Sequence, residues 1–160
     1  MTNVRGWRAV LLAWLVGCAP AQGAGPAPET IVVIAHPAFA QESLSEAELA
    51  SIYRRNERID SQGRALVPVN LASDDPLREA FTRALFAQAP ADMEAYWNER
   101  YFHGIAPPHT VASIEAMLRF VAATPGAIGY VPECAFDGRV KALARLRTTQ
   151  VRAVACPASP

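Results

Sequence analysis

The sequence predicts an α/β fold in a single domain. Short apolar runs rich in β-branched residues, such as residues 31–35, alternate along the chain with helical segments. Two of these segments, around Phe81 and Met117, have apolar residues at every i, i+3, i+4 and i+7 position. Cap residues precede the helices at Ser45 and Ser113. Strands that alternate with capped, amphipathic helices are typical of a sheet layered with helices.

The first elements follow directly from these signals. Residues 31–35 are continuously apolar, which favours a strand buried on both faces, as in a parallel sheet covered by helices. Ser45 and Glu48 have the spacing of a capping box, so we expect a helix over residues 46–54. Residues 65–71 read as the second strand.

The next two helices begin at polar turns. Residues 74–76 (DDP) place two acids and a proline at a helix start, where the dipole and the fixed φ of proline favour them. A further helix starts near Asp92 and ends before Gly104. It carries aromatic residues at helical spacing, which we interpret as core rather than as a stacking platform for a ligand: Tyr96, Trp97, Tyr101 and Phe102.

The last elements are shorter. Residues 104–109 (GIAPPH) indicate a stiff surface loop before the helix capped by Ser113. Residues 127–131 read as a strand, and residues 151–155 as another. Residues 140–146 fit a strand better than a helix, although the helix stays open.

The first 18 residues have the features of an export signal. Arg5 and Arg8 make the start positive, and the apolar run over residues 9–16 is shorter than the roughly 20 residues that span a bilayer. Residues 15–18 (LVGC) match a lipobox, in which Cys18 is lipidated and becomes the new N-terminus. Ordinary cleavage at a nearby small-residue site is the alternative. Both interpretations place the protein in the periplasm or cell envelope, either lipid-anchored to the membrane or secreted.

An export signal has consequences for the domain bounds and for the cysteines of the remaining chain. Residues 19–30 are rich in Ala, Pro and Gly, so we expect a flexible tether, followed by one domain over residues 31–156. With Cys18 lipidated, Cys134 and Cys156 remain in a compartment that permits disulfides, and we expect them to pair. Two free thiols are the alternative, because sequence does not reveal the distance between them.

Charge and motifs exclude several classes of function. The chain has 15 Lys and Arg and 15 Asp and Glu, and the leader contains two of the arginines and no acid, so the remainder has a net charge of −2. Nucleic-acid binding usually requires a basic balance, so we do not expect it. Nucleophile elbow, Walker, HExxH and dinucleotide-binding motifs are missing, so we expect no enzyme and no cofactor. The histidines are too scattered to predict a metal site: His36, His103 and His109.

Residues 31–132 resemble the second lobe of the periplasmic binding proteins that serve phosphate ABC transporters. The most specific stretch is residues 125–131 (PGAIGYV). It lies within the matching stretch over residues 121–131, and the others are residues 31–37, 44–53, 63–69, 78–81 and 97–104. Short proteins of this pattern are named phosphate ABC transporter substrate-binding-like proteins, in the periplasmic binding protein type 2-like superfamily. The resemblance implies a single-lobe domain with a mixed sheet flanked by helices.

The resemblance also implies where a ligand would bind. The family's second-lobe anion loop is a serine-glycine-threonine turn at a helix start, and residues 72–76 (ASDDP) stand in that place. Ser73, Asp74 and Arg78 are therefore the candidate ligand-binding residues, although the aspartates would repel a phosphate. The alternative is structural: Ser73 or an aspartate caps the helix, and Arg78 pairs with a neighbouring acid. An arginine run, Arg54, Arg55 and Arg58, is either an anion-attracting patch or a solvated helix end.

Two functions are consistent with these features. The resemblance implies an exported, membrane-tethered solute-binding protein that binds inorganic phosphate or a related oxyanion for uptake or sensing with an ABC permease. The alternative is a non-enzymatic adaptor that has lost anion binding and contacts an envelope protein or a second copy of itself. A single lobe leaves uncovered the face that a second lobe would occupy, which is a reason to expect a homodimer.

Overall fold

A computed structural model describes residues 29–148 as one mixed sheet of five strands flanked by helices. The strands are β1 (Glu29–Ala35), β2 (Val67–Leu71), β3 (His109–Val111), β4 (Ala127–Pro132) and β5 (Lys141–Thr148). The helices are α1 (Glu46–Tyr53), α2 (Pro76–Phe86), α3 (Met93–Phe102) and α4 (Ile114–Ala123). A short 3-10 turn at Pro90–Asp92 precedes α3, and another at Glu133–Ala135 follows β4. The leader, the cysteines at positions 18 and 156, and the predicted strand over residues 151–155 lie outside the described residues.

The sheet has the strand order β3-β2-β4-β1-β5. β2 runs parallel to β3 and β4, whereas β1 runs antiparallel to β4 and β5. The expectation that residues 31–35 lie in a parallel sheet was therefore wrong, because both neighbouring strands are antiparallel to β1. All five of these residues are buried. Their continuous apolar sequence reflects helices on both faces of the sheet, and it carries no information about the direction of the neighbouring strands.

Helices cover β4 on both sides. Successive residues of a strand face opposite sides of the sheet. Gly129 lies against Met117 of α4, while the ring of Tyr130 stacks on Phe81 of α2 with centroids 3.9 Å apart. On that second side the hydroxyl of Tyr53, from α1, donates to the carbonyl oxygens of Val69 (3.1 Å) and Ile128 (3.2 Å). The core therefore consists of two layers of side chains with the central strands between them.

Helix caps agree with the sequence signals. Ser45 and Glu48 form the expected capping box, and Ser113 accepts a hydrogen bond from the amide of Ala116 at 3.1 Å. Residues 140–146, for which a strand was favoured and a helix stayed possible, belong mostly to the edge strand β5. The second strand is shorter than expected, because Ala65 forms only an isolated bridge to Ile59.

One expectation at the end of α3 was wrong. Tyr101 and Phe102 are 69% and 87% exposed, so they are not core residues. Both lie in the last turn of α3, which ends at Phe102 and is capped by His103. The loop expected over residues 104–109 is confirmed over residues 104–108. Its last residue, His109, begins β3, a three-residue edge strand whose sequence is too short to show a periodic pattern.

Candidate functional site

A cavity of about 430 Å³, here called the α2 pocket, lies where β2 ends and α2 begins. Ser73, Asp74 and Arg78 all line it, so the fold brings the three predicted candidates together. The opposite wall comes from the turn before α3, from α3 itself and from the segment that leads into β3, and it includes Trp97, which the sequence analysis interpreted as a core residue. That wall consists of Pro90, Ala91, Glu94, Trp97, Asn98, Pro107, Pro108 and Thr110.

The helix start beside this pocket is capped by Asp75. The Asp75 carboxylate accepts hydrogen bonds from the amides of Leu77 (2.8 Å) and Arg78 (3.3 Å). Its own amide donates to the Ala72 carbonyl at 3.1 Å, which closes the turn. A free helix N-terminus attracts anions through such amides. Here a carboxylate of the chain already occupies them, so the cap is the aspartate rather than Ser73.

Arg78 is attached to the end of β2. Its Nη1 donates to the Leu71 carbonyl oxygen at 2.7 Å. Arg78 forms no ion pair among residues 29–148. The alternative in which it pairs with a neighbouring acid was therefore wrong. The side chain is half-buried, and the same hydrogen bond fixes its position at the pocket wall. The guanidinium therefore presents an oriented positive charge to whatever enters the pocket.

The pocket as a whole has more negative than positive charge. Asp74 and Glu94 both line it, and neither forms an ion pair within residues 29–148. Arg78 is the cation among the described lining residues. The apolar part of the lining includes Trp97, whose ring meets that of Tyr96 edge to face with centroids 4.9 Å apart. The pocket therefore offers one cation, two carboxylates and an aromatic wall.

Buried tyrosines support the strand beneath the pocket. The Tyr130 hydroxyl accepts a hydrogen bond from the Leu71 amide at 3.2 Å and lies 3.3 Å from Asn70 Oδ1. Burial raises the pKa of Tyr130 and that of Tyr53 above their ordinary values, so both hydroxyls stay neutral. They stabilise the end of β2 by hydrogen bonding and add no charge to the site.

The arginine run separates into two groups. Arg54 lies over the Phe86 ring, 4.7 Å from its centroid, and its carbonyl accepts from the Tyr96 hydroxyl at 2.8 Å. Arg55 and Arg58 line a different pocket, on the other side of the segment before β3. The run is thus neither a patch beside the α2 pocket nor simply a solvated helix end.

The remaining candidates are a metal site and a disulfide. Within residues 29–148, His, Cys, Asp and Glu side chains form no cluster of three that would hold a metal ion. Cys134 is exposed and disulfide-bonded. Its predicted partner, Cys156, lies outside the described residues, so that pairing stays a prediction. None of the described helices is both long and apolar enough to cross a bilayer.

Comparison with solved structures finds proteins of similar architecture. The described fold matches an ABC-type phosphate transport receptor from Vibrio cholerae with a TM-score of 0.60 at 17% identity, over 72% of this chain and 46% of that one. It matches a phosphate ABC transporter substrate-binding protein structure from Clostridium perfringens, solved with bound phosphate, with a TM-score of 0.60 at 17% identity, over 72% and 44%. The chain has a periplasmic-binding-protein-like fold.

A third structure, PstS from Borrelia burgdorferi, gives a TM-score of 0.58 at 16% identity over 76% of this chain and 49% of that one. The resemblance predicted from residues 31–132 is therefore confirmed at the level of the fold. The chain spans about half the length of the structures that it matches. No protein-family model and no curated protein matches the sequence.

Proposed function

We propose that this protein is a non-catalytic solute-binding protein of the cell envelope, and that the α2 pocket is its solute site. The observation that carries the proposal is the convergence of Ser73, Asp74 and Arg78 on one cavity, in a fold that otherwise serves phosphate transport receptors. The export signal and the lipidation of Cys18 belong to the same proposal, as does an ABC permease as partner. The matched structures are named as a phosphate transport receptor and a substrate-binding protein.

The proposed solute is phosphate or a related oxyanion, bound less tightly than a free helix start would bind it. Arg78 supplies a charge-assisted donor and Ser73 a hydroxyl. Two features oppose the anion: Asp75 already takes the amides of Leu77 and Arg78, and the carboxylates of Asp74 and Glu94 line the same cavity. We therefore expect the positive charge of Arg78 to be indispensable.

The experiment is thermal unfolding of the purified protein with phosphate, sulfate and molybdate at fixed ionic strength. A bound anion at about 100 times its Kd adds roughly 2.7 kcal/mol to the free energy of unfolding. For a domain of this size the melting temperature then rises by about 5 to 10 °C. Arg78→Gln should abolish the rise.

Asp74→Asn should tighten phosphate binding roughly three- to tenfold, because it removes a repelling charge near the surface. Glu99→Gln is the matched control, since Glu99 is an exposed acid of α3 that does not line the pocket. If no oxyanion raises the melting temperature, or if Arg78→Gln leaves the rise intact, the α2 pocket is not an anion site.

The second candidate function is an adaptor that binds an envelope protein or a second copy of this chain. The exposed rings of Tyr101 and Phe102, adjacent at the end of α3, favour it, because exposed aromatic surface often marks a partner site. A homodimer would show a melting temperature and a molecular mass by light scattering that rise with protein concentration. Phe102→Ser should abolish that dependence without lowering the melting temperature of the dilute protein.

A further inference from the structure

A second cavity, here called the arginine pocket, lies at the other end of β2 and has a volume of about 480 Å³. The α2 pocket follows the carboxyl end of β2, whereas the arginine pocket includes residues 65–68, where β2 begins. The two cavities share a wall made of Pro107, Pro108 and Thr110. They are therefore separate sites on the two sides of one short segment.

The charge of the arginine pocket is the opposite of that of the α2 pocket. Arg55 and Arg58 line it together with His109, and its described lining contains no aspartate or glutamate. Within residues 29–148 neither arginine forms an ion pair. Other arginines of this protein do pair with acids, as Arg64 does with Asp60. Two positive charges without a described counterion thus face one cavity.

The backbone at Arg55 adopts an unusual conformation to place this side chain. Its φ of 59° lies in the left-handed region, at the position after a helix where glycine is the usual residue. The Nη1 atom donates to the Leu66 carbonyl oxygen at 2.9 Å, which fixes the guanidinium against a residue that lines the pocket. Nε is buried and has no hydrogen-bond partner among the described residues.

Neighbouring positive charge strengthens the electrostatic argument. Arg100 Nη2 lies 3.4 Å from the Arg55 carbonyl oxygen and 3.0 Å from Asn56 Oδ1, so a third guanidinium adjoins the same turn. Burial, and after it the charge of Arg58, lower the pKa of Arg55 below its ordinary value. A protein that accumulates cations in this way gains electrostatically when an anion binds among them.

The walls of the cavity define the rest of the ligand. Ala65, Val67, Ala106 and the two prolines give it an apolar surface beside the guanidinium groups. A small inorganic oxyanion would leave this surface uncovered, whereas an apolar body would bury it. We propose that the arginine pocket binds a small organic carboxylate, with its apolar body against the proline wall and its carboxylate hydrogen-bonded by Arg58 and Arg55.

Isothermal titration calorimetry of the purified protein tests this proposal with three probes that share one ring: benzoate, benzyl alcohol and benzylamine. Benzoate should bind, and benzyl alcohol should bind at least tenfold more weakly, since it lacks the charge that the arginines recognise. Benzylamine should not bind in this pocket. Equal binding of benzoate and benzyl alcohol, or no binding of benzoate, would overturn the proposal.

Arginine variants locate the binding. Arg58→Gln should weaken benzoate about tenfold or more, the loss expected for one charge-assisted hydrogen bond. Arg58 is exposed and its side chain makes no described hydrogen bond, so this variant should fold as the parent does. Arg55→Gln should act in the same direction but also loses the bond to Leu66. Its melting temperature is therefore measured alongside.

Arg54→Gln is the matched control, because it removes the same charge from the same run at a residue that packs on Phe86 and does not line the pocket. It should leave benzoate binding unchanged, as should Arg78→Gln in the α2 pocket. If either variant weakens benzoate as much as Arg58→Gln does, the binding is not in the arginine pocket. The Arg78 variant also separates this proposal from oxyanion binding, since only the latter depends on it.

Discussion

Gly126 and Gly129 determine how closely β4 approaches its neighbours. Gly126 has a φ of 80°, and a Cβ there would overlap the Ala65 carbonyl oxygen. Its own carbonyl oxygen accepts from the Val67 amide at 2.9 Å, which continues the pairing of β2 with β4. A Cβ on Gly129 would overlap Met117 in α4. The stretch that carried the sequence resemblance, residues 125–131, is therefore specific because its glycines permit contact between main chain and neighbouring elements.

We expect Gly126→Ala to lower the free energy of unfolding by roughly 3 kcal/mol, since it adds a left-handed penalty to a clash with main chain that cannot move aside. Gly63→Ala is the control. Gly63 also has a positive φ, 76°, but its Cβ would meet nothing within 4 Å. It should cost only about 1 kcal/mol. Urea unfolding measures both, and equal losses would show that the contact with Ala65 contributes nothing.

At the scale of elements, helix ends decide where the two pockets form. α2 begins at Pro76 with Asp75 as its N-cap, and the turn over residues 72–75 lies at the α2 pocket. α1 ends at Tyr53, and Arg55, two residues later, has a left-handed conformation and lines the arginine pocket. α2 ends in the same way at Ala87, whose φ is 54° and whose amide donates to the Arg83 carbonyl at 2.9 Å. Unlike Arg55, Ala87 lines neither pocket.

Ala87→Gly should therefore stabilise the protein by about 1 kcal/mol, because glycine adopts the left-handed conformation without the steric cost that a Cβ carries. The comparison variant is Ala95→Gly, at an exposed position inside α3. It should destabilise the protein by about 1 kcal/mol, the cost of glycine in a helix interior. Thermal and urea unfolding of the two variants should give changes of opposite sign, and a loss at position 87 would contradict the cap interpretation.

At the scale of the whole molecule, ion pairs join segments that are distant in sequence. Glu115, in the first turn of α4, makes a two-pronged pair with Arg139, which precedes β5, with both N–O distances 2.9 Å. Hydrogen bonds from Arg139, then from Arg119, lower the pKa of Glu115 to about 2. The pKa of Asp137 is lowered in the same way, first by the Arg139 side chain. These groups are exposed, so each pair contributes modestly and salt weakens it.

The protein should lose stability in acid through these carboxylates. Because the folded state lowers the pKa of Glu115 from 4.5, it binds fewer protons than the unfolded state, and the stabilisation is complete above that value. It disappears as the pH falls toward about 2. We expect Glu115→Gln to be less stable than the parent at pH 7, with the difference shrinking toward pH 2, as measured by urea midpoints. A difference for Glu115→Gln that is constant with pH would contradict the linkage.

How much could be predicted from sequence differs between fold and site. Ser73, Asp74 and Arg78 were predicted as one site because they lie close in sequence, and the fold does bring them to one cavity. Trp97 was interpreted as a core residue rather than a stacking platform, and it is instead half-buried in the pocket wall. The proline wall was missed, since it follows the turn by more than 30 residues. The arginine run was interpreted as an anion-attracting patch or a solvated helix end, but only the structure separates Arg54 from Arg55 and Arg58, which line a pocket of their own.

The sequence by itself determined the elements of this protein: its capped helices, its buried first strand and the turn that precedes α2. These elements depend on interactions between residues a few positions apart in the chain, such as the capping box of Ser45 and Glu48. Only the tertiary structure decided that β1 is antiparallel to its neighbours, that Tyr101 and Phe102 are exposed, and that two pockets of opposite charge share one wall. Such features depend on contacts between distant residues, on which local propensity and periodicity have no bearing.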